Sequence, residues 1–315
     1  MNEPGMNQPS EIPVEDVLRH ELAHGDIVLG TIGPILGHLL ANHDHSLFSD
    51  EIVSRVRGML TDVARQLLTA QAEAADHADP RGYAAENAPA LTEALVATPE
   101  FLAHTHALAL EWQLGGRLEK RNAIDPVLSP LLQALIASED TATAGAAMAA
   151  LAAQARFTQS QRRMELPLGE LPADLFHAAL MALREFADGE TAVEEGLRKQ
   201  YDESASRLGL LSRLVTAMGG GARAALSVSH AGVALFLSAL AMASNQDRDL
   251  AVISTNDRQL ARLALALRGA GLKPKEVEEQ FLYIHPEVAL PEGFDMLRAD
   301  RAAAMLSTAG RWSAT

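Results

Sequence analysis

The chain of 315 residues contains no cysteine. This absence excludes disulfide bonds, thiolate zinc sites, iron–sulfur clusters and cysteine nucleophiles. Aromatic residues make up only 4% of the chain, and the abundance of alanine and leucine favours close-packed α-helices over β-sheet. The first residues lack a basic region followed by an apolar one, so we predict no secretory signal and a cytoplasmic location.

The chain also lacks an apolar run long enough to predict a membrane span. Its most apolar segment is Ala231–Ala243, within a longer stretch, Ala224–Gln246, whose one titratable residue is His230. A membrane-spanning helix needs about 20 apolar residues, and a helix that is apolar on nearly all sides must otherwise be wrapped by other elements. We therefore predict a buried central helix in a soluble protein, with Ser229 as its N-cap.

Positive charge is scarce in the first third of the chain. The net charge is −15. Residues 1–100 hold 16 acidic and 5 basic side chains, residues 101–200 hold 13 and 9, and residues 201–315 hold 12 and 12. Because negative charge repels phosphate backbones, we predict no nucleic-acid partner. The acidic first third can steer a basic protein partner, although solubility alone would also explain it.

Apolar residues recur at helical spacing along most of the chain, which predicts an all-α fold. Ser49 is a suitable N-cap for a helix that reaches about Ala74. Thr98–Pro99 begins another helix, and the phrases that start at Asp247 and Asp257 begin two short ones. We predict an irregular stack of helical hairpins, HEAT-like or solenoid-like.

Three segments predict breaks or boundaries. Gly25–Asn42 contains four glycines and a proline, which predict a kinked helix pair. Arg117–Asp125 is polar and predicts a boundary between two lobes, with a fresh helix from Asp125. Glu190–Met218 carries one apolar stripe and predicts a single long helix. The predicted organisation is a flexible tail (1–12), an acidic helical lobe (13–122) and a C-terminal helical lobe (123–315).

The segment His20-Glu21-Leu22-Ala23-His24 matches the zincin pattern, in which two histidines one helical turn apart bind zinc. The glutamate between them would polarise the attacking water. However, zincins place this helix beneath a sheet, and no extended third-ligand signature follows. His20 and His24 are therefore candidate zinc ligands and Glu21 a candidate base, as an alternative only.

The same residues permit a second interpretation. His20-Glu21-Leu22 resembles the start of the phosphoacceptor box of two-component histidine kinases, which implies phosphotransfer at His20. The resemblance covers three residues and fails at Ala23. Five of the 11 histidines also lie within residues 20–45, and such a cluster could bind a metal or sense pH. Scattered histidines on the surface and at helix ends are the favoured explanation.

The segment Leu235–Leu272 is similar to the C-terminal part of a family of uncharacterised bacterial proteins with HEAT-like helical folds. The similarity is one of pattern: helix pairs that end in small-residue turns precede a run rich in leucine and arginine. It implies an all-helical, solenoid-like body and transfers no catalytic residue.

The sequence therefore predicts a non-enzymatic adaptor or regulatory scaffold that binds another protein, and a homo-oligomer is compatible with it. The alternative is a metal-dependent hydrolase, or a phosphotransfer protein, that uses His20, Glu21 and His24.

Overall fold

The computed structural model describes residues 13–41, 50–187 and 192–309, and within these ranges the chain forms helices, turns and irregular segments without a strand. This confirms the predicted all-α helical stack. Short 3₁₀-helices connect several of the α-helices. The α-helices are α1 (Val14–Ala41), α2 (Asp50–Ala74), α3 (Pro80–Val96), α4 (Pro99–Asn122), α5 (Pro130–Ile136), α6 (Thr141–Arg162), α7 (Ala173–Phe186), α8 (Ala192–Gln200), α9 (Arg207–Ala217), α10 (Val228–Ser244), α11 (Arg248–Ile253), α12 (Leu260–Gly269), α13 (Pro274–Ile284) and α14 (Ala299–Thr308).

The predicted central helix is α10, and it is buried. Phe236, Leu237 and Leu240 are inaccessible to solvent, because α4, α5, α9, α11, α12 and α13 pack around the helix. Within the described ranges, no single helix is long and apolar enough to cross a membrane. One consecutive pair, Gly219–Leu226 with Val228–Ser244, passes on length and composition together, but it is bent by 113°.

The start of α10 differs from the prediction. The residue at the N-cap is Ser227 rather than Ser229, and Gly232 interrupts the helix with a φ of 70°. A Cβ at Gly232 would lie 3.0 Å from the Cβ of Ser129, at the start of α5. The first turn of α10 is therefore offset where α5 approaches, and only glycine adopts that backbone conformation without strain.

One apolar core connects helices from both sides of the predicted lobe boundary. The core runs from Leu18 on α1 to Leu306 on α14. Helix α4 packs against α1, α2 and α3 on one side, and against α10, α11 and α13 on the other. An ion pair between Glu15 and Arg301, at 2.8 Å, also links the first and last described helices. The division into lobes 13–122 and 123–315 stays a prediction.

The kinked pair predicted over Gly25–Asn42 is wrong, because α1 is a single helix of 28 residues. Its apolar stripe is buried, at Leu18, Leu22, Leu29, Ile32 and Leu36. Burial of such a stripe stabilises a helix by more than the roughly 1 kcal/mol that each interior glycine costs. The predicted tail, residues 1–12, lies outside the described residues, as do Ser49 and part of Gly25–Asn42.

The single helix predicted over Glu190–Met218 is also wrong. The structure has α8, a 3₁₀ turn and then α9. The Asp202 carboxylate accepts a hydrogen bond from the Ser204 backbone N–H, and Ser206 Oγ accepts one from the Gly209 N–H. These caps satisfy backbone donors that a continuous helix would use, so they end one helix and start the next.

The helix predicted from Asp125 starts too early. Helix α4 continues to Asn122, and the Asp125 carboxylate accepts from the N–H groups of Val127 and Leu128. That local turn delays α5 until Pro130, where Ser129 is the N-cap. The predictions for α2, for the start of α4 and for the two short helices that begin near Asp247 and Asp257 are confirmed.

Candidate functional site

A solvent-open groove lies where α1, α4 and the connection between α11 and α12 meet. We call it the α1–α4 groove, and its volume is about 460 Å³, within the range typical of binding pockets. Its apolar side chains are Val28, Ile32, Ile35, Ile52, Leu110 and Ile253, and its polar ones include Thr31, His106, Gln113, Asn256, Asp257, Arg258 and Gln259.

Helical periodicity on two helices forms the groove walls. On α1, Val28, Ile32 and Ile35 are three or four residues apart, and His106 and Leu110 have the same relation on α4. Side chains at this spacing share one helix face. Both faces are held by packing rather than by loops, because α1 also packs against α2 and α12. The groove is therefore built largely on rigid elements.

Two buried polar side chains support the groove. His106 is 3% exposed, and its burial lowers its pKa to about 4, so its imidazole is neutral at pH 7. Gln259 Nε2 donates a hydrogen bond to the Gly25 carbonyl oxygen at 2.7 Å. That bond ties the α11–α12 connection to α1 and fixes the width of the groove. On the same helix as His106, His104 Nδ1 lies 2.8 Å from Asp249 Oδ2 on α11.

Basic side chains lie at one end of the groove. Arg117 and Arg121 follow Gln113 on α4 at intervals of four residues, which places the three side chains along one helix face. Arg258 lines the groove, and both Arg117 and Arg121 act electrostatically on His285, the C-cap residue of α13. We call Arg117, Arg121, Arg258 and His285 the basic cluster.

A buried ion-pair centre fixes α4 to α9 and α11. Glu111 is 4% exposed, and Arg207 donates to its two oxygens at 2.7 and 3.0 Å. Arg248 donates to the same two oxygens, both at 2.9 Å. Arg207 also lies 3.6 Å above the Phe157 ring. The carboxylate is therefore satisfied by four donors, and it holds the α4 wall of the groove in place.

The motifs of the sequence do not predict this ion-pair centre, although one residue gives a signal for it. Glu111 falls on the face of α4 that carries Ala107, Leu108 and Leu114, so a charge sits within an apolar stripe. Buried charges are almost always paired. The sequence thus indicates that Glu111 needs a cationic partner, but not which arginines provide it.

The histidine motif does not line the groove, although His24 lies one helical turn before Val28 on α1. His20, Glu21 and His24 are all exposed on α1, and the two histidines are one helical turn apart. Among the residues that the structure describes, no group of three or more histidine, aspartate and glutamate side chains could hold a metal ion. The positions of His43 and His45 and the side chain of His38 lie outside the described residues.

Comparison with protein-family models, with curated protein sequences and with solved structures finds no significant match to this chain.

Proposed function

We propose that the chain is a non-enzymatic helical adaptor or regulatory scaffold, and that the α1–α4 groove receives an apolar segment of a partner protein. The observation that carries the proposal is the groove itself, an open volume of about 460 Å³ between α1, α4 and the α11–α12 connection with apolar side chains along its walls. Grooves of this kind bind the apolar face of a partner helix through two or three anchor side chains.

Two further features support a binding role. The ion-pair centre and the core fix the groove walls, and a preorganised site loses less entropy when it binds. The surface of α1, α2 and α3 is rich in exposed carboxylates, at Glu21, Asp50, Glu51, Glu73, Glu86 and Glu93. This acidic surface can steer a partner that is basic overall.

The test blocks the groove with a large side chain at a position where the fold should tolerate it. Thr31 is exposed on α1 and lines the groove, and its hydroxyl bonds only to a carbonyl in the preceding turn, that of Val28. Thr216 on α9 makes the same kind of bond, to the Ser212 carbonyl oxygen, and lies outside the groove. Thr31→Trp should therefore block the groove, and Thr216→Trp is the matched control.

A displayed library of random peptides is selected on the wild-type protein and depleted on Thr31→Trp. We expect enriched peptides that bind Thr31→Trp at least about tenfold more weakly than the wild type, a loss of about 1.4 kcal/mol. The same peptides should bind Thr216→Trp as they bind the wild type. Failure to enrich any peptide whose binding depends on Thr31 contradicts the proposal.

The second candidate function uses His20, Glu21 and His24, and the exposure of all three side chains favours it. Zinc binding predicts a mass excess of one zinc in native mass spectrometry of the untagged protein, lost in His20→Ala/His24→Ala. Phosphotransfer predicts acid-labile phosphate after incubation with acetyl phosphate, lost in His20→Ala and retained in His24→Ala. A clean apo mass and no phosphate would eliminate both chemistries.

A further inference from the structure

The two ends of the α1–α4 groove differ in charge, and the proposed function does not depend on that difference. Its apolar part lies between α1 and Leu110 of α4, and its other end meets the basic cluster (Arg117, Arg121, Arg258 and His285). The chain as a whole carries a net charge of −15. A local concentration of arginine is therefore opposite in sign to the net charge of the chain. It indicates a specific ligand chemistry at one end of the groove.

The arginines of the basic cluster lack carboxylate partners. Within the described residues, the guanidinium groups of Arg117 and Arg258 make no hydrogen bond or ion pair, and Arg121 bonds only to the Asn122 amide oxygen, at 3.2 Å. Asp257 is the carboxylate that acts on Arg117 and His285. Asp257 therefore influences Arg117 without a direct bond, and neither Arg121 nor Arg258 bonds to a carboxylate among the described residues.

The interior arginines of the chain are paired, whereas Arg117, Arg121 and Arg258 are exposed to solvent. Arg207 and Arg248 contact Glu111, and Arg262 contacts Asp26. At the cluster, by contrast, partial burial and the neighbouring Arg121 lower the pKa of Arg117. His285 is only 7% exposed, and its Nε2 has no hydrogen-bond partner among the described residues. Burial lowers the pKa of His285, so the positive charge of the cluster lies on its arginines. Arginines without a bonded carboxylate and an unsatisfied nitrogen of a buried imidazole thus occur together.

We infer, on the basis of the proposed function, that the segment that docks in the groove carries acidic side chains beyond its apolar anchor, and that these contact the basic cluster. A carboxylate would supply the acceptor that the arginines lack, in a site where bidentate arginine–carboxylate pairs can form. A partner that is basic overall can still present such an acidic segment, because long-range steering and local contact depend on different charges.

The spacing along α4 specifies where the acidic residues lie. Leu110 and Arg117 are seven residues apart, about 10 Å along the helix axis, and Arg121 lies about 16 Å from Leu110. A docked helix would therefore place its acids roughly 7–11 residues from its anchor. An extended segment, at about 3.3 Å per residue, would place them roughly 3–5 residues away.

The experiment uses the full chain and the peptides whose binding depends on Thr31. We expect aspartate and glutamate to be enriched in them at one of these two spacings. For the best peptide, a lysine-for-acid version is synthesised, and both are titrated by fluorescence anisotropy. Wild-type protein should prefer the acidic peptide by at least about tenfold, and Arg117→Glu/Arg121→Glu should reverse the preference.

Arg81→Glu/Arg213→Glu is the matched control, since both arginines are exposed on other helices, and its affinities should stay within about twofold of the wild type. If the reversed variant does not fold, Arg117→Gln/Arg121→Gln should lose the preference without reversing it. Thr31-dependent peptides without an acidic bias, or equal losses for both peptides, would overturn this inference and leave the proposed function standing. Two results together would contradict both proposals: no peptide binds in a Thr31-dependent way, and dodecanoate binds the wild type but not Thr31→Trp. The groove would then be a lipid-binding site.

Discussion

Replacement of Glu111 by glutamine tests the ion-pair centre that holds α4 to α9 and α11. Glutamine keeps the shape of the side chain but removes the charge that Arg207 and Arg248 share. Arg207 stays buried and Arg248 mostly buried, with side chains 1% and 14% exposed, and four charge-assisted hydrogen bonds of 2.7–3.0 Å are weakened or lost. Removal of one partner from a buried ion pair costs about 3–5 kcal/mol.

Urea unfolding at pH 7 should therefore show a free energy of unfolding lower by about 3–5 kcal/mol in Glu111→Gln. In a thermal scan the midpoint should fall by on the order of 10 °C, at about 2–4 °C per kcal/mol for a large domain. The matched control is Glu93→Gln, because Glu93 is exposed on α3. It should change stability by less than about 0.5 kcal/mol.

A triple replacement separates lost charge pairing from lost volume. Glu111→Leu/Arg207→Met/Arg248→Met removes all three charges and leaves none unpaired, and apolar replacement of a buried ion pair is often neutral or stabilising. It should be less destabilising than Glu111→Gln. A loss below about 1 kcal/mol in Glu111→Gln, or a triple variant less stable than the single one, would refute the assignment of α4 anchoring to this centre.

The dependence on pH provides a further check on Glu111. Burial raises the pKa of its carboxyl, but the charges of Arg207 and Arg248 outweigh burial and hold the pKa well below its usual range. A depressed pKa in the folded state contributes stability that is present above the unfolded pKa, about 4.3, and is lost as the pH falls below it. The difference between wild type and Glu111→Gln should therefore shrink below about pH 4.

Four more substitutions test local features of the fold by urea unfolding. Gly30→Ala should stabilise the protein by roughly 0.5–1 kcal/mol, because no heavy atom lies within 4 Å of the added Cβ. Gly25→Ala should show no such gain, because its Cβ would lie 2.7 Å from Gln259 Oε1; equal gains at both positions would refute the close approach. Gly232→Ala should cost about 1–3 kcal/mol, because its φ of 70° strains any other residue, and a neutral result would exclude the kink. Burial lowers the pKa of His106 to about 4, so the unfolded chain takes up a proton between pH 6.5 and 4 that the folded chain does not. Wild-type stability should therefore fall between pH 7 and pH 5, by up to about 1.4 kcal/mol per pH unit, and fall less in His106→Leu; parallel curves would contradict the burial of a neutral histidine.

Local sequence patterns predicted the fold class and several helices correctly. Ala231–Ala243 is too apolar to lie on a surface and too short to predict a membrane span, so its burial in the core follows from composition and length. The caps and proline positions near Asp50 and Pro99 likewise predict helix starts, because they act on backbone groups within one turn. Patterns of this kind are local, and the structure reproduces them.

Helix continuity needed information that a local pattern does not contain. The glycines and Pro34 of α1 predict breaks, but the buried stripe from Leu18 to Leu36 stabilises one unbroken helix. In Glu190–Met218 the apolar stripe predicts continuity, whereas the side chains of Asp202 and Ser206 cap the backbone and divide it. In each case two local signals compete, and tertiary packing decides which one prevails.

The sequence by itself therefore determined that this chain forms a stack of helices around one apolar helix, because periodicity and composition act over short distances. Only the tertiary structure decided the pairing of Glu111 with Arg207 and Arg248, which are far apart in the chain. It also decided that α1, α4 and the α11–α12 connection form a groove, and that the basic cluster lies near one end of it. A count of charges along the sequence does not show which charged side chains lie close together. The electrostatic field at a site depends on the distances between those side chains.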